Sequence, residues 1–222
     1  MSGAPTDAPA VRAGHFFTFE GGEGSGKTTQ LATLRAALRA EGRTVVETQD
    51  PGGTAIGREI RRLLLDRASA RMGAVAELLL YEASRAQLVA EVIRPALAAG
   101  AIVLCDRFTD STVAYQGYGR GLDLGLIARL NAAAADHLCP DRTFLLDLDP
   151  AAGLARVRAR PQDRIEAERL GFHQRVREGY QALAAAEPAR VVLLDAAMSP
   201  EALAERVRQG VEAALLAAAP QR

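Results

Sequence analysis

Short apolar runs recur along the chain, and amphipathic stretches fill the spaces between them. His15 to Glu20, Arg43 to Thr48, Ala101 to Cys105, Arg142 to Leu148 and Arg190 to Leu194 are bounded by glycine, proline or charge, as strands are. Leu31, Leu34 and Leu38 fall at helical spacing after the first run, and Gly42 is placed as their C-cap. Ile56, Ile60, Leu63 and Leu64 mark a second helix. Val75, Leu79, Ala86, Val89 and Ile93 mark a long third, and Leu203, Val207, Val211 and Leu215 a last. Ser199-Pro200-Glu201 opens that last helix with a cap, a proline at the first position and an early acid. Near-continuous apolar strands alternating with helices imply a parallel sheet covered on both faces. The expected fold is three-layer α/β with five parallel strands, binding its ligand at their carboxyl ends.

Bulk properties narrow the class. The 222 residues suit one domain, and 49% apolar with 5% aromatic describes an alanine- and leucine-rich globular chain. Zero formal net charge gives no global field for nucleic acid or a membrane surface, so neither is expected as a partner. Cys105 and Cys139 lack metal spacing and read as buried, reduced thiols. Residues 1–13 are Ala/Pro/Gly-rich without an apolar h-region and read as a disordered tail. No stretch is long and apolar enough to span a bilayer, so a cytoplasmic protein is expected.

The chemistry concentrates between the first strand and first helix. The chain has one lysine, Lys27, at the end of Gly21-Gly22-Glu23-Gly24-Ser25-Gly26-Lys27 and followed by Thr28. This is the spacing of a P-loop, whose glycines let backbone N–H groups curl around phosphate oxygens. Lys27 is placed to reach the β- and γ-phosphates of a nucleoside triphosphate, and the Thr28 hydroxyl to coordinate Mg²⁺. The fold class becomes a three-layer P-loop NTPase fold. No second lysine exists to form a guanine-reading Asn-Lys-x-Asp motif or a partition-type loop. Asp106-Arg107-Phe108 closes the third strand, and a carboxylate beside an arginine there suits phosphate groups and a metal.

From about Phe16 onward the chain resembles the bacterial thymidylate kinases. The matching pieces are Glu23 to Thr29, Asp50-Pro51-Gly52-Gly53-Thr54, Tyr81-Glu82-Ala83-Ser84-Arg85, Asp106-Arg107-Phe108, Ser111 to Gly117, and Asp163-Arg164-Ile165-Glu166. The resemblance implies ATP-dependent phosphorylation of dTMP to dTDP by a single kinase domain over 14–222, with an arginine-rich lid at about 150–166. A phosphate monoester has a second pKa of about 6, so the acceptor is already a nucleophile and needs no general base. What remains is to bring two polyanions together and neutralise the transferring group.

The resemblance also implies roles. Arg107 contacts the dTMP phosphate, and Asp106 supports Mg²⁺ or orients Arg107. Such enzymes without a P-loop arginine take one from the lid; of Arg156, Arg158, Arg160 and Arg164, the first choices are Arg156 and Arg160. Tyr81 stacks on thymine, and Arg85 hydrogen-bonds a base carbonyl from the same face of the long helix. Thr112 or Gln116 reads the base edge, Tyr115 crowds a ribose 2′-OH, and Glu23 faces the 3′-OH. Asp50 sits in an acceptor-side loop where relatives have Arg-Glu rather than Gln49-Asp50, which removes one expected phosphate or lid contact. Asp163 and Glu166 read as the cap and N3 partner of the next helix. Asp195 and Ala196 are placed near adenine by position alone, and a homodimer is expected. The rival readings are another nucleoside monophosphate kinase, or a P-loop ATPase switch that binds a protein partner.

Overall fold

The computed structural model describes residues 14–159 and 161–217; the tail over 1–13 and Arg160 lie outside them. Five strands, β1 (His15–Glu20), β2 (Val45–Gln49), β3 (Ile102–Asp106), β4 (Arg142–Asp147) and β5 (Val191–Asp195), form one sheet in the order β2-β3-β1-β4-β5. All pairs are parallel, as the apolar runs predict, and each boundary falls within two residues of expectation. Phe16, Phe17 and Phe19 of β1 have no exposed surface because the central strand is covered on both faces. Each such side chain contributes about 1.5–3 kcal/mol by its removal from water.

On one face, α1 (Lys27–Ala40) brings Leu31, Leu34 and Leu38 against Phe17 and Phe144. Beside it α9 (Pro200–Ala217) brings Leu203, Val207 and Val211. On the other face, α3 (Ala74–Leu88) widens into a π turn over Val89–Ile93 and resumes as α4 (Arg94–Ala98), burying Leu88, Val89, Ile93 and Leu97. Gly42 has φ 78° just past α1, the left-handed C-terminal position expected of it. The remaining helices are α2 (Ala55–Leu65), α5 (Thr109–Thr112) with a π turn over Val113–Gly119, α6 (Leu124–Ala134), α7 (Pro150–Val157) and α8 (Leu170–Ala186). The apolar pattern marks neither α6 nor α8. Phe172, Val176 and Tyr180 of α8 pack against Leu145 and Tyr115 to close a third part of the core.

Four expectations are corrected. The Val75/Leu79/Ala86 stripe of α3 faces outward, with Val75 51% and Leu79 50% exposed, while Glu77, Leu78, Glu82, Ser84 and Arg85 are buried. The inward face is polar because Glu77, Glu82, Ser84 and Arg85 are held in buried hydrogen bonds to other parts of the protein and to one another, so apolar periodicity finds the opposite side. Ile56 and Leu63 of α2 are likewise outside, and only Leu64 of that quartet is fully buried. Cys139 is exposed, whereas Cys105 is buried as expected. Asp163 and Glu166 do form a reciprocal box, Oδ1 accepting from Ile165 and Glu166 N and Glu166 Oε2 accepting from Asp163 N. It closes a single turn, however, and α8 starts only at Leu170.

Candidate active site

The carboxyl ends of β1, β2 and β3 lie in register, with Phe19 and Gln49 both opposite Asp106. Above them opens a cavity of about 770 Å³. Glu23 through Thr28 line it, together with Asp50, Tyr81, Arg85, Asp106, Arg107, Thr112, Tyr115, Gln116 and Arg156. Residues spread over more than 130 positions therefore meet in one space. Gly21 and Gly22, which open the loop, do not line this space but border a separate cavity of about 20 Å³.

The loop is built by its glycines. Gly21, Gly24 and Gly26 have φ of 134°, 67° and 94°, which side chains disfavour, and α1 begins at Lys27 immediately after. The Lys27 ammonium donates to Gly21 O at 3.0 Å and Gly22 O at 2.9 Å, occupying the loop's interior. Burial lowers its pKa, with Arg107 adding to the effect and Glu23 opposing it. The loop touches α7 backbone to backbone: a Cβ on Gly24 would strike Gly153 O, and one on Gly153 would strike Glu23 O. Gly153→Ala is accordingly expected to push α7 and its arginine off the loop. Displacements of about 1 Å in such sites cost about 10²-fold in rate. Steady-state turnover beside a melting curve checks this, with activity falling far more than stability.

Arg107 is the centre of the charge array. Its φ is 69°, a left-handed conformation that costs a non-glycine residue roughly 1–3 kcal/mol and recurs at functional sites. Nη2 donates to Glu23 Oε1 at 2.8 Å, and Nη1 to Gly21 O, Tyr180 OH and Ser111 Oγ at 3.0–3.3 Å. The guanidinium also lies over the Tyr115 ring, 5.0 Å from its centroid. Burial alone would raise the Glu23 carboxyl, but Arg107, then Lys27 and the Tyr115 hydroxyl, outweigh it and hold it to about 2. Glu23 therefore stays ionised beside the loop.

Two other groups had no motif to reveal them. Glu20 ends β1, fully buried, and accepts from Phe108 N, Ser111 Oγ and Tyr180 OH at 2.6–2.7 Å. It thus pins the turn after Arg107 and two of that arginine's partners; burial, then Asp110, push its pKa up to about 7. Arg61 of α2 lines the cavity and donates to Pro51 O at 2.9 Å. Its signal in the sequence was spacing: Gly57, Arg61 and Leu64 share the inward face of α2.

Arg85 is placed differently from expectation. It is 1% exposed, and all five of its N–H donors meet protein acceptors. Nε bonds Asp50 Oδ2, Nη1 bonds Glu82 and Asn131, and Nη2 bonds Phe108 O and Thr112 Oγ1, at 2.7–3.2 Å. No donor is left free for a base, so a base carbonyl must share one. Arg164 is buried on Leu64 O and Glu77 and points into structure rather than the cavity. Arg158 is exposed and does not line the cavity. Arg156 donates to Gly24 O at 3.1 Å and is, among the described residues, the lid arginine in reach of the loop.

For a divalent cation, no cluster of three or more His, Cys, Asp or Glu exists among the described residues. The fit is nevertheless good for an ion held mostly by phosphates and water. Asp106 Oδ1 and Ser25 Oγ are buried at the cavity's edge without hydrogen-bond partners, and Thr28 lies beside them. Hard oxygen ligands of this kind, one or two per ion, suit Mg²⁺.

Comparison with known proteins places this geometry. Residues 19–207 match the family model described as thymidylate kinase. A thymidylate kinase of Solidesulfovibrio magneticus is 61% identical over 200 residues, covering 86% of this chain and 96% of its own. That of Gloeobacter violaceus is 60% identical over 200 residues, with coverage of 89% and 94%. The crystal structure of thymidylate kinase from Ehrlichia chaffeensis superposes with a TM-score of 0.74 at 34% identity, covering 90% of this chain and 98% of that one.

Proposed function

Since the chain belongs to the thymidylate kinase family and converts dTMP to dTDP, we propose how its own residues divide the work. The P-loop holds the phosphates of ATP, with Lys27 exchanging its two loop carbonyls for phosphate oxygens. Thr28 and Asp106 hold Mg²⁺, which neutralises the phosphate oxygens when bound. The acceptor's base lies against Tyr81, with Arg85, Thr112 and Gln116 at its edge. Tyr115 and Glu23 bound the sugar. Arg107 and Arg61 take the acceptor phosphate, and Arg61 stands in for the arginine that Gln49 replaces. Arg156, which reaches Gly24 O of the loop, steadies the transferring group as the 150–166 segment closes. The observation that carries this reading is the meeting of Lys27, Arg107, Arg156 and Tyr81 around one cavity at the strand ends.

Because in-line transfer between phosphates rests on charge neutralisation, metal removal is the direct test. With excess EDTA, dTDP formation should fall to background and return on adding Mg²⁺. Undiminished turnover in EDTA would remove Thr28 and Asp106 from their assigned role.

A homodimer belongs to the same proposal. Helices α2 and α3 pack side by side and leave Ile56, Leu63, Val75 and Leu79 between 43% and 55% exposed. So many large apolar side chains on adjoining helices suit a second copy of the chain. Leu79→Glu should halve the sedimenting mass, to that of a 23.5 kDa particle. A wild-type protein already sedimenting at that mass would end the idea. A cytoplasmic location fits a reaction fed by ATP and two cysteines that form no disulfide. No helix among the described residues is long and apolar enough to cross a membrane.

A further inference from the structure

We propose that Glu77 is a positioning residue: it fixes the side-chain amide of Gln116 with its carbonyl toward the cavity, and thereby selects pyrimidines that carry a hydrogen on N3. The inference rests on reading the cavity as the pocket for the acceptor's base.

Glu77, Tyr81 and Arg85 stand four residues apart on α3 and so share one face. Glu77 is 1% exposed, yet it touches no ligand-facing surface in the main cavity. Its carboxylate is fully committed inside the protein. Arg120 donates to both oxygens, Nε to Oε1 and Nη2 to Oε2, each at 3.0 Å. Arg164 Nη1 adds a contact to Oε2 at 2.6 Å. Two guanidinium groups around one carboxylate keep it ionised, and an ionised carboxylate only accepts hydrogen bonds. Burial pulls its pKa upward, but the hydrogen bonds from Arg120 and Gln116 and the nearby charges outweigh that and hold it below the ordinary value.

Gln116 Nε2 donates to Glu77 Oε1 at 2.9 Å. An acceptor-only partner decides which end of the amide faces it: the NH₂ turns to Glu77 and the carbonyl turns away. Gln116 is 1% exposed and lines the large cavity, and its Oε1 has no hydrogen-bond partner among the described residues and is not sealed off. The cavity wall therefore presents a fixed acceptor. Thymine and uracil offer N3–H to it. Cytosine presents a lone pair there, which leaves two acceptors facing each other in a dry site, and sites built to pair a polar group reject partners that cannot.

The test is Glu77→Gln, which keeps the shape but can donate as well as accept, so that the Gln116 amide can turn over. Acceptor assays with dTMP and dUMP, and competitive inhibition by dCMP, read the outcome. The expected result is that dTMP and dUMP lose about 10–10²-fold in kcat/KM, through KM more than kcat. Inhibition by dCMP should not weaken. In the double variant Glu77→Gln/Gln116→Leu, selectivity should equal that of Gln116→Leu alone, because Glu77 acts through Gln116. A folded Glu77→Gln with wild-type preference for dTMP over dCMP overturns the proposal, as does an equal loss for all three nucleotides, the mark of a purely structural role. If Glu77→Gln does not fold, Glu77→Asp keeps the charge for both arginines but withdraws the carboxylate from Gln116 by one methylene. It should show the same loss of selectivity, and unaltered selectivity overturns the proposal. Wild-type protein that fails to phosphorylate dTMP at all would instead sink the reading of the cavity, before any variant is made.

Discussion

Lys27→Met should lower kcat by about 10³-fold or more while leaving the fold intact. The ammonium is buried at 8% exposure, and its hydrogen bonds go to two carbonyls of its own loop. Those bonds hold the charge where a phosphate oxygen will arrive, at little cost in reorganisation. Burial already disfavours the charge, lowering the pKa, so an apolar chain of similar length should not destabilise the protein. Lys27→Arg should fail nearly as badly, because a planar fork does not fit the space of a point charge. Single-turnover kinetics with a parallel melting curve would check both. A kcat within tenfold of wild type would mean that the loop's backbone alone carries the phosphate.

Arg107 should show a different signature, in which activity and stability move apart. Arg107→Gly removes a guanidinium that contacts Glu23, Gly21 O, Tyr180 and Ser111. It also relieves a left-handed backbone worth roughly 1–3 kcal/mol of strain. A fall in kcat/KM of about 10²–10³-fold is expected, with a change in melting temperature much smaller than the removal of those hydrogen bonds implies. Arg107→Lys keeps the charge and the strain but cannot reproduce the several-pronged geometry, so it should recover only part of the rate. If Arg107→Gly were simply unfolded, or if it turned over normally, the arginine would be a structural strut rather than a ligand to the acceptor phosphate.

The sheet was legible because a strand covered on both faces must be apolar at nearly every position, as the inner strands β1, β3 and β4 are, while the edge strands β2 and β5 keep a shorter apolar run. The P-loop was legible because its glycines and single lysine are tied to a spacing. Helix faces were legible only where the core alone used them. In α1 and α9 the apolar stripe is the buried one. In α3 buried polar partners claim the inward face, Arg120 for Glu77, Arg85 for Glu82 and Gly52 N for Ser84, so the stripe marks the outside instead. The family resemblance brought Tyr81 and Arg85 to notice, and the end of the third strand Asp106 and Arg107, but neither could show that every donor of Arg85 is already used. That depends on Asp50, Asn131 and Thr112, which lie 27–46 residues away. Glu20 was hidden as the last residue of a strand, and Arg61 as one arginine among several on α2. Arg160 stays outside the described residues, so Arg156 alone of the two chosen lid arginines has an observed contact with the loop.

The most direct measurement is ADP release from Mg²⁺-ATP with dTMP, dUMP, dCMP, dGMP, AMP or no acceptor. A cavity that holds donor and acceptor together should give a large signal with dTMP, a smaller one with dUMP and almost none without an acceptor. Equal turnover in the absence of any acceptor would contradict the account, because Tyr81, Arg85 and Gln116 would then line a space that the reaction does not use.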